Sequence, residues 1–268
     1  HRALAVNLSD IAAMGAAPSW MLLSLQLPLA DEDWLREFCA GLGALAHQHD
    51  VALVGGNLSR GPLAITVELA GLVPRGQALR RDGARPGQQL YVSGTIGDAA
   101  AGRERLHDPE AAALARRFEY PQPRVALGQA LRGLASACID VSDGLYADAT
   151  RLLQASGCSA EIELERLPLS APLRRLCGAQ APQLALSGGE DYELCFSAAP
   201  AQAAPIEAAA ARLGESIRCI GAITAAASAG EHGSGSAAGA QGVPALRLKS
   251  SNPAISALAA AALDHFRR

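Results

Sequence analysis

Residues 138 to 145 read Cys138-Ile139-Asp140-Val141-Ser142-Asp143-Gly144-Leu145. An apolar run stops abruptly at two carboxylates, with a hydroxyl between them and a glycine behind. A strand that ends this way and hands over to a helix is placed to hold a metal ion against phosphate oxygens. The combination points to phosphoryl chemistry on an α/β scaffold.

Working outward, Tyr146 to Ala155 reads as the helix that follows, Ala137 to Asp140 as its strand, and Arg124 to Leu134 as the helix before it. Further strands are predicted at Leu90 to Ser93, Ile162 to Leu164, Tyr192 to Phe196 and Ile217 to Ile220. Upstream, Ala3 to Leu8, Met21 to Leu27, Val51 to Val54 and Ala64 to Val73 read as strands. Asp31 is the expected N-cap of a helix carrying Trp34, Leu35, Phe38, Leu42 and Leu45 at helical spacing. The segment Arg75 to Gln88, rich in Gly, Arg and Pro, interrupts both periods. The expected organisation is therefore two α/β domains with α+β-type mixed sheets, residues 1–82 and 83–268, each sheet needing a helical layer to cover it. Ala225 to Gly242, almost all Ala, Gly and Ser, is expected to be a mobile insertion. Asn252, Pro253, Arg267 and Arg268 are placed to cap and complement a terminal helix.

The whole chain sets bounds but selects no activity. Half of its 268 residues are hydrophobic and only 4% aromatic, so the interior should be Ala, Leu, Val and Ile. A formal charge of -3 gives no electrostatic reason to expect a nucleic acid or an anionic membrane as partner. The most apolar stretch, Trp20 to Leu29, is far shorter than the ~20 residues of a membrane helix. Six widely spaced cysteines without a Cys-x-x-Cys pair read as reduced thiols, which implies the cytoplasm. His47, His49, His107, His232 and His265 have no paired metal-site spacing. The chain opens on His1-Arg2 without an initiator methionine and reads as a fragment whose active site continues upstream.

Four clusters carry the chemistry. Asn7-Leu8-Ser9-Asp10 matches Asp140-Val141-Ser142-Asp143 in type, as if each domain presented a carboxylate at a strand end; the alternative is a cap on a helix from Ile11 to Met14. Gly55-Gly56-Asn57 either brings backbone N–H groups and an amide oxygen to an anion and its cation, or is a hairpin turn. Arg80-Arg81-Asp82-Gly83-Ala84-Arg85 either clamps polyphosphate or is a solvated linker. Ser187-Gly188-Gly189-Glu190-Asp191-Tyr192-Glu193 either receives a cationic or donor-rich group or is a charged hairpin. No P-loop, nucleophile elbow or kinase-type His-Arg-Asp is present, so a nucleotide would be held mainly through metal ions.

In this order, and with Ser93-Gly94-Thr95-Ile96-Gly97-Asp98 between them, the motifs resemble the thiamine-monophosphate kinase family, in the superfamily of aminoimidazole ribonucleotide synthetase and selenophosphate synthetase. The resemblance runs from the first residue to about Gly221. It implies an aminoimidazole ribonucleotide synthetase-like two-domain fold, a homodimer built through the N-terminal sheets, and transfer of the γ-phosphoryl of ATP to thiamine monophosphate. It further implies Mg²⁺ on Asp10, Asn57, Asp140 and Asp143, ATP on Gly56, Asn57, Arg81 and Ser142, and the substrate on Glu190, with no catalytic base. Relatives often carry Asp at Asn57, an aromatic residue near Leu263, and a tyrosine at Cys39. The rival readings are a non-catalytic module that binds nucleotide or thiamine phosphates, and a related ATP-dependent ligase.

Overall fold

The computed structural model describes residues 1–226 and 244–251. Two sheets organise it. In the first, β1 (Ala17–Leu27) lies between β2 (Ala52–Arg60) and β3 (Ala64–Leu72), parallel to β2 and antiparallel to β3. The chain enters through α1 (Arg2–Ala13) and makes the parallel β1-to-β2 crossover through α2 (Glu32–Gln48). Asp31 caps α2 as expected, its carboxylate accepting from the N–H groups of Asp33 and Trp34.

The second sheet has the order β5-β7-β4-β8-β6-β9. Its strands are β4 (Gln89–Ser93), β5 (Ala137–Val141), β6 (Cys158–Glu163), β7 (Glu193–Ala198), β8 (Ile217–Ala225) and β9 (Leu246–Lys249). All neighbours are antiparallel except β6 and β9. Between the strands run α3 (Asp98–Arg103), α4 (Ala112–Glu119), α5 (Val125–Ala130), α6 (Leu145–Ser156), α7 (Ala171–Cys177), α8 (Ala181–Ser187) and α9 (Ala203–Arg212). The mixed α/β class read from the sequence holds.

Strand alternation decides which residues face which layer. Leu90 and Val92 of β4, Ala137 and Val141 of β5 and Cys195 of β7 pack with Leu145, Ala149 and Leu152 of α6. The opposite face presents Tyr91, Cys138, Leu194 and Phe196 to Leu4, Leu8 and Ala12 of α1, to Val125 and Leu127 of α5, and to Ile206 of α9. Tyr91 and Phe196 stack there at 5.2 Å. Each such Leu, Val, Ile or Phe side chain, taken fully out of water, contributes roughly 1.5–3 kcal/mol. The first helix thus packs on the second sheet as well as on the first. Asp140 shares the parity of Cys138 and points to the α1 side.

Three expectations change. Ala3 to Leu8 is not a strand but the first half of α1, whose buried positions Leu4, Ala5, Leu8, Ser9, Ala12 and Ala13 recur at helical spacing. A short apolar run cannot be told from a buried helix segment by periodicity alone. Ser9 and Asp10 therefore lie inside a helix, neither ending a strand nor capping Ile11 to Met14, and the likeness of the two Ser-Asp segments is one of composition. Gly55-Gly56-Asn57 is not a turn after a strand but the middle of β2, opposite Leu22, Leu23 and Ser24. Gly56 has φ 148°, and a Cβ there would sit 1.8 Å from the Leu23 carbonyl oxygen, so the close strand approach requires glycine. Ala225, expected to open the insertion, is the last residue of β8.

The helix expected over Arg124 to Leu134 is shortened to α5, followed by turn structure with Gly133 at φ 74°. The remainder of the expected insertion from residue 227, the terminal helix with its signals at Asn252, Pro253, Arg267 and Arg268, and Leu263 lie outside the described residues. Among the described residues no helix is long and apolar enough to cross a membrane. Cys138, Cys158, Cys177 and Cys195 are buried free thiols, Cys219 is half-buried and Cys39 is exposed.

Candidate active site

The end of β5 builds the site. Asp140 is buried, and the Ser9 hydroxyl of α1 donates to its Oδ2 at 2.8 Å. Burial pushes the Asp140 pKa up to about 6; the Ser9 bond opposes this, and the charges of Asp10 and Asp148 add to it. Asp10, one residue further along α1, keeps an exposed side chain. Partial desolvation raises its pKa, while the nearby Arg81 charge acts the other way. Asp10, Arg81 and Asp140 are thus drawn from a helix, the inter-sheet segment and a strand into one electrostatic neighbourhood.

Beyond Val141 the chain turns through Ser142, Asp143 and Gly144 into α6. Asp148, in the first turn of that helix, holds the turn in place: its Oδ2 accepts from the N–H groups of Ser142 and Asp143, both at 2.9 Å. Arg151 bridges Asp148 Oδ1 at 2.5 Å and Asp143 Oδ2 at 2.6 Å. Asp148 was missed in the sequence, although an acid in the first turn of a helix is a readable signal. Burial raises its pKa against the bonds from Asp143 and Arg151.

The second motif docks on this turn through the backbone. Glu190 N–H donates to the Ser142 carbonyl at 2.8 Å, and Tyr192 N–H to the Val141 carbonyl at 2.9 Å. Gly189 has φ 68°, and a Cβ there would meet the Ser142 oxygen at 2.5 Å. Glu190 and Tyr192 both take positive φ, 69° and 53°, an unusual conformation for residues with a Cβ and one found mostly where surroundings over-determine the backbone.

The acids of this segment divide by direction. Asp191 is buried and accepts from Gly97 N–H at 2.7 Å and Ala99 N–H at 3.2 Å; burial pushes its pKa up to about 7 against those bonds. Glu193 is fully buried beneath Gly94 and accepts from Arg124 at 2.6 and 2.8 Å, Arg117 at 2.7 Å and Ser93 at 2.6 Å. Burial works against its charge, but the two guanidinium groups and the hydroxyl prevail and hold its pKa below the usual range. Only Glu190 keeps an accessible carboxylate, and its Oε2 accepts from Tyr192 Oη at 2.7 Å and pairs with Arg2. The expectation of three acids facing one ligand is corrected: Asp191 and Glu193 hold the turn from inside.

Gly56 and Asn57 belong to the exposed edge strand β2. Arg80 pairs with Asp82 in an exposed contact, leaving Arg81 as the arginine of that segment that senses Asp10. Among the described residues no three or more His, Cys, Asp or Glu side chains form a group able to hold a metal ion by themselves.

Two family models match this chain: AIR synthase related protein, N-terminal domain, over residues 1–73, and AIR synthase related protein, C-terminal domain, over residues 85–233. The thiamine-monophosphate kinase of Salmonella typhimurium is 47% identical over 233 residues, spanning 84% of this chain and 72% of the relative. The crystal structure of thiamine-monophosphate kinase from Stenotrophomonas maltophilia is 44% identical, with a TM-score of 0.81 over 92% of this chain and 76% of the other. AaThiL complexed with AMPPCP and TMP is 32% identical, with a TM-score of 0.78 over 94% and 77% of the two chains. The order of the motifs, the two sheets and these likenesses converge: the chain belongs to the AIR synthase related family and, within it, to the thiamine-monophosphate kinases.

Proposed function

We propose that this chain phosphorylates thiamine monophosphate to thiamine diphosphate, with ATP as phosphoryl donor. The observation that carries the reading is the backbone docking of Glu190 on Ser142, which joins the segment read as substrate-binding to the carboxylate turn.

Donor and acceptor are both phosphate anions, and two unit charges ~4 Å apart repel by about 4 kcal/mol at an effective dielectric of 20. The chain must supply positive charge and alignment, while a general base is unnecessary because the attacking phosphate oxygen is already ionised. Arg81 and Ser142, with Gly56 and Asn57, are proposed to contact ATP, and Glu190 the thiamine moiety. The donor set suits a hard cation: oxygens only, with Asp140 buried beside a hydroxyl rather than a basic group. Asp10, Asp140, Asp143 and Asn57 would hold Mg²⁺, which when bound offsets phosphate charge.

We also propose that residues 1–82 and 83–268 act as the nucleotide and substrate halves, and that two copies associate through the first sheet. In support, β2 is an edge strand exposed along its whole length, with Leu53, Val54 and Leu58 uncovered. A cytoplasmic setting follows from the use of ATP.

Phosphorus NMR of the enzyme with Mg-ATP and thiamine monophosphate is the test. Appearance of thiamine diphosphate is expected. A folded sample that binds both ligands without forming product would favour the non-catalytic module.

A further inference from the structure

The Glu190 carboxylate has an unusual companion. Arg2, at the start of α1, crosses to it and ion-pairs with the same Oε2 that accepts the Tyr192 hydroxyl. Its guanidinium lies over the Phe118 ring, 4.1 Å from the centroid, and 5.7 Å from the centroid of the Tyr192 ring. A further N–H of the group goes to the Phe118 carbonyl. Neither partner of the pair is sealed off, with 29% of the Arg2 side chain and 27% of the Glu190 side chain exposed.

A planar cation set over aromatic faces, against a carboxylate and at the surface, is the arrangement by which proteins recognise delocalised or quaternary cations. The walls are rigidly placed. Tyr192 and Glu190 are tied to Val141 and Ser142, and Asp191 and Glu193 anchor the same turn from beneath. A guanidinium and a thiazolium ring share the required features: flat, singly positive, and weakly hydrated for their size.

Building on the functional reading above, we infer that Glu190, Tyr192 and Phe118 form a box for the cationic heterocycle of the substrate, and that Arg2 is an internal occupant which the substrate displaces. Arg2 and the substrate ring then compete for one carboxylate and the same π faces. The box selects for the charged ring, and Arg2 keeps it closed to neutral ligands while it is empty of substrate. A ligand that binds only the Arg2-displaced arrangement has its affinity reduced by the fraction of time Arg2 occupies the site.

Calorimetry tests this with two probes, thiamine monophosphate and the planar but uncharged thiochrome monophosphate, in the presence of a non-hydrolysable Mg-ATP analogue. Arg2→Gln is expected to bind both probes about three- to tenfold more tightly than the parent, because each must displace the same occupant. Phe118→Leu keeps the backbone carbonyl and the ion pair, and is expected to weaken thiamine monophosphate about three- to tenfold with less effect on thiochrome monophosphate. Weaker or unchanged binding of thiamine monophosphate in Arg2→Gln would overturn the inference and make Arg2 a fixed part of the wall. If Arg2→Gln gives no folded sample by circular dichroism, the Phe118→Leu selectivity decides alone. Failure of the parent enzyme to bind thiamine monophosphate would instead reject the functional reading itself.

Discussion

Ser9 and Asp140 stand 131 residues apart in the chain and meet at 2.8 Å, the hydroxyl of a helix donating to the carboxylate of a strand. The bond ties the first helix to the end of β5, where Asp10 and Asp140 share one electrostatic neighbourhood. It also stabilises the charged form of a carboxylate that burial disfavours. Replacing Ser9 by Ala should raise the Asp140 pKa above about 6 and move the acid limb of the pH–rate profile to higher pH. A stability loss of about 1–2 kcal/mol in urea unfolding should accompany it. An unmoved acid limb would separate this bond from catalysis.

Asp140 itself should show a conflict between stability and activity. Its folded pKa is raised, so the folded state binds the proton more tightly than the unfolded chain. The Asp140 contribution to stability is therefore greatest at low pH and falls as pH rises from the ordinary carboxylate range through about 6. Asp191, raised to about 7, extends the decline. Asp140→Asn should stabilise metal-free protein at pH 8 by about 1–3 kcal/mol while lowering turnover at least roughly tenfold. Urea unfolding in the presence of a chelator, beside a turnover assay, reads both.

Asp143 faces solvent with Arg151 as partner. Because an exposed pair of this kind contributes only ~0–1 kcal/mol, Asp143→Asn should leave the unfolding midpoint nearly unchanged. Turnover should fall at least roughly tenfold if the charge stands opposite phosphate. Unchanged turnover would assign Asp143 to the Arg151 bridge alone.

Glu193 is the opposite case, fully buried between two arginines. Glu193→Ala leaves those guanidinium groups without their anion in a desolvated place and should cost about 3–5 kcal/mol of folding free energy. Chemical denaturation measures it, and a loss below about 1 kcal/mol would show that water reaches the cavity.

Much of this was legible beforehand, for identifiable reasons. Asp31 announced α2 because a capping carboxylate before an amphipathic run has one local meaning, and Asp140 to Gly144 announced the strand-to-helix turn because two acids and a glycine end an apolar run. The first helix was misread because Ala3 to Val6 is too short and too uniformly apolar for its period to speak. Gly55-Gly56 resembled a turn because the need for glycine there comes from the Leu23 carbonyl of another strand, a contact with no trace in local sequence. Asp191 and Glu193 looked like ligands because charge is visible in a sequence and direction is not. The arginines that neutralise Glu193 lie 69 and 76 residues away.

The packing of α1 on Phe196, Leu194 and Ile206 has a further consequence. A polypeptide starting at the second sheet would present that greasy face to water, and one ending at β3 would strip Leu4, Leu8 and Ala12 of their partners on the second sheet. The two stretches matched by separate family models are therefore not interchangeable parts that recombination can trade freely. Asp10 and Asp140 share one electrostatic neighbourhood because the interior between the two sheets holds α1 in place, with no need for nucleotide to bring them together.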